Sequence, residues 1–233
     1  MSFKPIKYLK AQLVDALNTH RTFQDSVPNL LLKKAIQDSA DFASNNMQDA
    51  MMFFDHKGIW DYSVTAIQKQ SKDGLFLEFG VFQGASINYL SSQLSTKIFH
   101  GFDSFEGLKE DWSGWSLTKG AFDLKGQLPT VNSNVKLVKG WFDATLPDFI
   151  QKQSNPFVQW LHIDCDTYEA TKTVFECLEG NIQKGTLILF DEYFGYRGWE
   201  IGEYKAFNEF IDKSKLQFKY KAFAKCQVLV EII

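Results

Sequence analysis

Several features are scarce or missing in this sequence, and each scarcity removes a class of protein. No apolar run approaches the roughly 18 residues that a membrane-spanning helix needs, so no membrane partner is expected. The opening MSFKPIKYLK carries lysines but no apolar stretch, so a secretory leader is not expected either. Only three cysteines occur, Cys165, Cys177 and Cys226. They are odd in number and at no zinc-ligand spacing, which points to free thiols in a reducing, cytoplasmic compartment. Positive charge is not in excess: 25 Lys+Arg stand against 28 Asp+Glu, a net charge of −3. No basic face for nucleic acid is implied. There is no internal repeat and no low-complexity tract.

What is present is a core. The chain has 233 residues, 45% of them hydrophobic, enough for one globular α/β domain with an addition. Most of its 22 phenylalanines are expected inside, because aromatic side chains bury large areas.

The period of the apolar residues divides the chain. Residues 1–72 read as a helical extension: NLLLKKAI (29–36) opens a segment that continues through Met51 to Phe54, and Ile59, Trp60, Val64 and Ile67 recur at helix spacing. Residues 73–233 read as a second unit, in which short apolar strands alternate with helices. LFLEFG (75–80), KIFHGFD (97–103), VKLVKG (135–140), FVQWLHID (157–164) and TLILFDE (186–192) are the strands, with helices at 85–94, 143–152 and 168–180. That alternation implies parallel βαβ units with both sheet faces covered. LQFKYKAF (216–223) and CQVLVEII (226–233) form a terminal hairpin that would place one antiparallel strand in the sheet. Residues 104–134 break the rhythm; an aperiodic stretch of this length with Trp112 and Trp115 reads as a lid or binding segment.

The loop EFGVFQGAS joins the first strand to its helix, where open parallel sheets bind nucleotide-like ligands. A dinucleotide fingerprint needs a glycine at its middle position so that backbone can approach a pyrophosphate. Phe82 stands there instead, which suits an adenosine ligand without a pyrophosphate. S-adenosylmethionine is such a ligand, its ammonium and carboxylate matching an acid near the loop and a helix N-terminus. Asp103 ends the next strand, where an acid can accept both ribose hydroxyls. The bland alternatives are a strand-end Glu78 paired to a lysine and Ser86 as a helix cap.

The carboxyl edge collects further acids. Asp164 ends one strand and Asp191-Glu192 end the next, so adjacent parallel strands would bring three carboxylates together. They would raise one another's pKa unless a cation sat among them. Oxygen donors without thiolate favour Mg²⁺, or else Ca²⁺ or Mn²⁺. His162 falls on the Asp164 side by strand parity and is a candidate base or supporting group, with a packed histidine as the alternative. Asp166-Thr-Tyr-Glu169 has the form of a capping box, with Asp166 as N-cap. Cys165 reads as packing, since no histidine-led dyad accompanies it. The stretch YFGYRGWEIGEY (193–204) reads as a pocket-lining loop or a packed aromatic turn.

LEFGVFQGASINYL, GFDSFEGL, GWFDATLP, LHIDCDTYEAT and LILFDEY occur in the order and spacing of the macrocin-type O-methyltransferases, which the chain resembles over roughly residues 72–210. The resemblance implies a Rossmann-like class I methyltransferase fold: a seven-stranded, mostly parallel sheet with an antiparallel C-terminal strand, here preceded by N-terminal helices. It implies S-adenosylmethionine held by Glu78, Gly80, Gly84 and Ser86 at its methionine end. Asp103 would take the ribose, and Ser104, Phe105, Trp141 and Phe142 would flank the adenine, with Asp164 also near the cofactor. It implies Mg²⁺ on Asp164, Asp191 and Glu192, and a small hydroxylated molecule as acceptor, with Asp164 or His162 in the proton transfer. The family pattern has aspartate where this chain has Glu192 and proline where it has Lys109. Substrate choice and contacts in a homo-oligomer are expected of the N-terminal helices. The rivals are a nicotinamide-dependent oxidoreductase on the same fold and a non-catalytic cofactor-binding protein.

Overall fold

A computed structural model of the chain describes residues 26–112, 114–154 and 156–233. Eight strands form one sheet: β1 (Met51–Phe53), β2 (Leu75–Phe79), β3 (Phe99–Asp103), β4 (Val135–Lys139), β5 (Val158–Ile163), β6 (Leu187–Phe190), β7 (Phe218–Ala224) and β8 (Gln227–Ile232). Their spatial order is β1-β7-β8-β6-β5-β2-β3-β4. Only β8 runs against its neighbours; β1 pairs parallel with β7, and the remaining pairs are parallel. The expected seven-stranded arrangement is therefore present with one strand added at an edge.

That added strand corrects the helical reading of Met51–Phe54. The first helix among the described residues, α1 (Val27–Asn46), ends before it, and Met51–Phe53 pairs with Ala222–Ala224. A three-residue strand paired on one side to a segment far along the chain leaves no local period to read. The other helices are α2 (His56–Gln68), α3 (Ala85–Gln93), α4 (Phe142–Gln151), α5 (Tyr168–Leu178) and α6 (Glu203–Ser214). Asp55 caps α2 by accepting the Gly58 amide at 2.8 Å. Helix α6 was not anticipated from the sequence, although Ala206, Phe207 and Phe210 give it a buried stripe.

Strand alternation sorts the core into two layers. Leu77, Phe79, Leu161, Ile163, Ile188 and Phe190 face α4, α5 and α6, while Phe76, Trp160, Leu187 and Leu189 pack with residues of α2 and α3. Full burial on both faces explains the near-continuous apolar strands. Parity also decides the site: Glu78 and His162 share the side of Phe76 and Trp160, and they are direct register partners across β2 and β5. The chain reverses its direction of sheet growth between β2 and β5, and such a switch point opens a crevice at the carboxyl ends of the strands.

Candidate active site

The crevice holds a cavity of about 540 Å³. Of the residues singled out from the sequence, Gly80, Asp103, Ser104, Trp141, Phe142, Asp164, Asp191 and Glu192 line it. Glu78, Gly84, Ser86, Phe105 and His162 do not line its wall.

The loop after β2 is held in place by the end of β3. Asp103 accepts the Val81 and Phe82 amides on one oxygen, at 2.9 and 2.8 Å, and the Phe105 amide on the other, at 2.7 Å. A carboxylate offers about four acceptor positions, so one remains where the sequence suggested room for two ribose hydroxyls. Gly80, at φ +89°, approaches the end of β5 so closely that a Cβ would lie 1.6 Å from the Asp164 carbonyl oxygen. Only glycine permits this contact between loop and acid strand. Gly84 starts α3 in the left-handed region, φ 81°.

Glu78 works from behind the wall. Fully buried, it accepts the Ser86 hydroxyl at 2.8 Å and meets His162 Nδ1 at 3.0 Å. The bland alternative for Glu78, a pair with a lysine, is thus replaced by a pair with a histidine, and Ser86 bonds Glu78. His162 Nε2 lies 3.8 Å from Asp191 Oδ1, an ionic contact too long for a hydrogen bond. Burial opposes charge on His162, but Glu78, Asp191 and Asp164 outweigh it and raise its pKa well above the usual value. Charge on the ring at this position would balance the carboxylates of Glu78 and Asp191.

On the acid side, Asp164 belongs to two groups whose donor atoms lie within 4.8 Å of one another: Asp164, Asp166 and Glu192, and Asp164, His162 and Asp191. Asp166 is the residue that sequence reasoning misassigned. Thr167, not Asp166, caps α5, accepting the Ala170 amide at 3.4 Å. Asp166 sits one residue earlier at φ 65°, a left-handed conformation that aspartate tolerates better than most residues, and it lines the cavity. Two consecutive capping residue types made the local pattern ambiguous; a third acid at the same strand end was the available signal.

These carboxylates disturb one another. Burial and then Asp191 raise Asp164 and Glu192 well above the ordinary range and push Asp166 up to about 7. Burial also acts upward on Asp191, but His162 and the Gln227 amide pull it down to about 2. The Gln227 amide donates to Asp191 Oδ1. Among the described residues, the buried Glu192 Oε2 finds no hydrogen-bond partner. Converging oxygen donors with an orphaned carboxylate oxygen and no thiolate in the group suit a hard divalent cation. Cys165, buried between the aspartates, meets Thr171 Oγ1 at 3.5 Å and is pushed upward first by burial and then by Glu203, which disfavours its thiolate.

The aperiodic segment forms the outer wall, with Lys109, Glu110, Trp112 and Phe122 at the cavity. It is pinned by a bridge between Glu106 and Asp123, by Phe82 against Phe122 at 5.3 Å, and by Lys109 over the Trp141 ring at 4.6 Å. Tyr193, Tyr196 and Trp199 are buried and away from the cavity wall, so the glycine-punctuated stretch is a packed aromatic turn.

A family model described as "Methyltransferase domain" matches residues 77–193, half of the chain. The chain belongs to the methyltransferase-domain family. The match spans β2 through the acids after β6, so it takes in every cavity residue named above from Gly80 to Glu192. Two solved structures share the fold of this methyltransferase. The calicheamicin methyltransferase CalS11 is 21% identical, with 89% of this chain and 93% of its own covered and a TM-score of 0.59. The O-methyltransferase NovP is 18% identical, covers 75% and 78%, and has a TM-score of 0.55. A search of curated proteins found no match to the sequence. Among the described residues no helix is long and apolar enough to cross a membrane.

Proposed function

We propose that this methyltransferase is of the macrocin-type group and moves a methyl group from S-adenosylmethionine to a hydroxyl of a small molecule, a sugar or other hydroxylated metabolite, with help from a divalent cation, in the first instance Mg²⁺. The observation that carries the reading is the convergence, on one cavity, of a glycine loop braced by Asp103 and four carboxylates from the ends of β5 and β6. The resemblance to an O-methyltransferase group and the fold shared with NovP favour oxygen as the acceptor atom. Phe82 at the middle of the loop and the family match favour methyl over hydride transfer.

In this reading residues 73–233 are the catalytic unit. Residues 1–72 contribute to substrate choice or to contacts in a homo-oligomer, and the protein acts in the cytoplasm. Gly80, Ser104, Trp141 and Phe142 contact the donor, and Asp103 offers its one remaining acceptor position to the ribose. Glu78, Gly84, Ser86, Phe105 and His162 shape the loop and its charge from behind. Asp164, Asp191 and Glu192 hold the cation, which supplies Lewis-acid polarisation of the acceptor hydroxyl when bound. Asp166, on the same wall and outside that set, takes the hydroxyl proton in this reading. Aromatic and lid residues at the mouth keep water from the sulfonium while an in-line approach is held.

The test is direct. Calorimetry should show S-adenosylmethionine binding, and Asp164→Ala should abolish release of S-adenosylhomocysteine across a panel of hydroxylated acceptors while leaving donor affinity nearly intact. EDTA should suppress the wild-type activity. An active Asp164→Ala variant would remove the mechanism, and activity indifferent to chelation would remove the cation.

A further inference from the structure

A fifth carboxylate stands behind the four and outside the cavity wall. Glu203 is the first residue of α6 and is fully buried. Its Oε2 accepts the backbone amide of Glu192 at 3.1 Å. It does not cap its own helix, whose N-cap is Gly202 without a side-chain cap bond. Burying a carboxylate is costly, and the helix N-terminus offsets only part of that cost. A buried glutamate that neither lines the cavity nor caps its helix needs another reason to be there.

The neighbouring backbone supplies one. Beyond the end of β6, the Asp191 amide reaches the Ile163 carbonyl at 2.9 Å and the Tyr193 amide reaches the Cys226 carbonyl at 2.9 Å. The Glu192 amide between them has a side chain as its partner. Glu192 is also the one glutamate among those four carboxylates, the others being Asp164, Asp166 and Asp191. The extra methylene adds a rotatable bond that must be fixed for a carboxylate to reach a set point. Behind it the packing is tight: a Cβ on Gly202 would lie 2.4 Å from the Tyr196 hydroxyl. The Tyr196 hydroxyl, Glu192 Oε2 and Glu203 Oε1 are all buried without hydrogen-bond partners among the described residues.

We propose that Glu203 is a positioning residue of the cation site, locking the Glu192 peptide so that the longer carboxylate is delivered toward Asp164. The inference rests on the reading of Glu192 as a cation ligand. Outer partners of this kind change metal affinity by about 10–100-fold when removed.

The experiment uses the full chain and Mn²⁺ as probe, titrated by electron paramagnetic resonance without donor or acceptor. Glu203→Met keeps the bulk and removes the acceptor, and should weaken Mn²⁺ binding about tenfold. Glu203→Gln keeps an oxygen for the Glu192 amide and should stay close to wild type. In a Glu192→Ala background, Glu203→Met should cause no further loss, the non-additivity expected of a residue acting through another. Circular dichroism melting accompanies each variant. If Glu203→Met does not fold, Glu203→Asp, which withdraws the oxygen by one methylene, takes its place with the same expected loss. A folded Met or Asp variant with wild-type Mn²⁺ affinity overturns the proposal, and so does a Gln variant as weak as Met. Wild-type protein that binds no Mn²⁺ would instead defeat the cation reading itself, before any variant is compared.

Discussion

The two sides of the cavity solve the problem of buried carboxylates in opposite ways. On the β2–β3 side the acids are satisfied by the protein itself: Asp103 by three backbone amides, Glu78 by Ser86 and His162. On the β5–β6 side Asp164, Asp166 and Glu192 face one another, and a Glu192 oxygen has no described partner. The first side is a finished scaffold. The second is electrostatically incomplete and is stabilised by whatever positive charge enters it. Asp191 marks the boundary, since His162 and Gln227 already hold it ionised.

The comparison can be broken most severely where the sides touch. Gly80→Ala drives a methyl group into the Asp164 carbonyl; it should destabilise the protein by more than about 4 kcal/mol and eliminate donor binding, read by thermal melting and calorimetry. Next, Asp103→Asn turns one acceptor oxygen into a donor facing amides. Bonds to a charged group are worth about 1.5–3 kcal/mol each. The melting temperature should fall by about 4 °C or more, with weakened S-adenosylmethionine binding.

The acid side should respond with the opposite sign. Without divalent cation, Asp164→Asn relieves repulsion and should raise the melting temperature by about 2–4 °C. Millimolar Mg²⁺ should then stabilise wild type and not the variant. If Asp164→Asn lowers the cation-free melting temperature, the cluster is not strained by its own charge.

The smallest effect lies away from the cavity. Burial, and then the charge of Lys136, lower the pKa of His100 to about 4. The unfolded chain therefore takes up this proton near pH 6.5 and the folded chain does not. Stability conferred by the neutral ring is complete above pH 6.5 and is lost as pH falls toward 4. The melting temperature of His100→Gln, which cannot titrate, should decline less steeply than wild type across that interval.

The fold was legible because its strands are buried on both faces and its helices alternate with them. The rim position of Asp164, Asp191 and Glu192 was legible because a crossover in a parallel sheet returns the next strand in the same direction, to the same rim. What escaped depended on distant or competing choices. Asp166 and Thr167 are both good cap formers, and only the left-handed turn at Asp166 decides which begins the helix. Glu78 reads as a loop acid until register puts His162 opposite. Glu203 lies in a stretch that reads only as a loop or an aromatic turn, and nothing nearby in the chain reveals that its partner is the Glu192 amide.

The short strand Met51–Phe53 has a consequence for where this protein can be cut. It covers the hydrogen-bonding rim of Ala222–Ala224 with backbone drawn from the N-terminal region. A chain trimmed to begin at the family-like segment would leave that rim bare, a template for strand addition by another molecule. The seam that the apolar period suggests near residue 72 therefore separates the two strands of a hydrogen-bonded ladder, and aggregation is the expected result of parting the two pieces there.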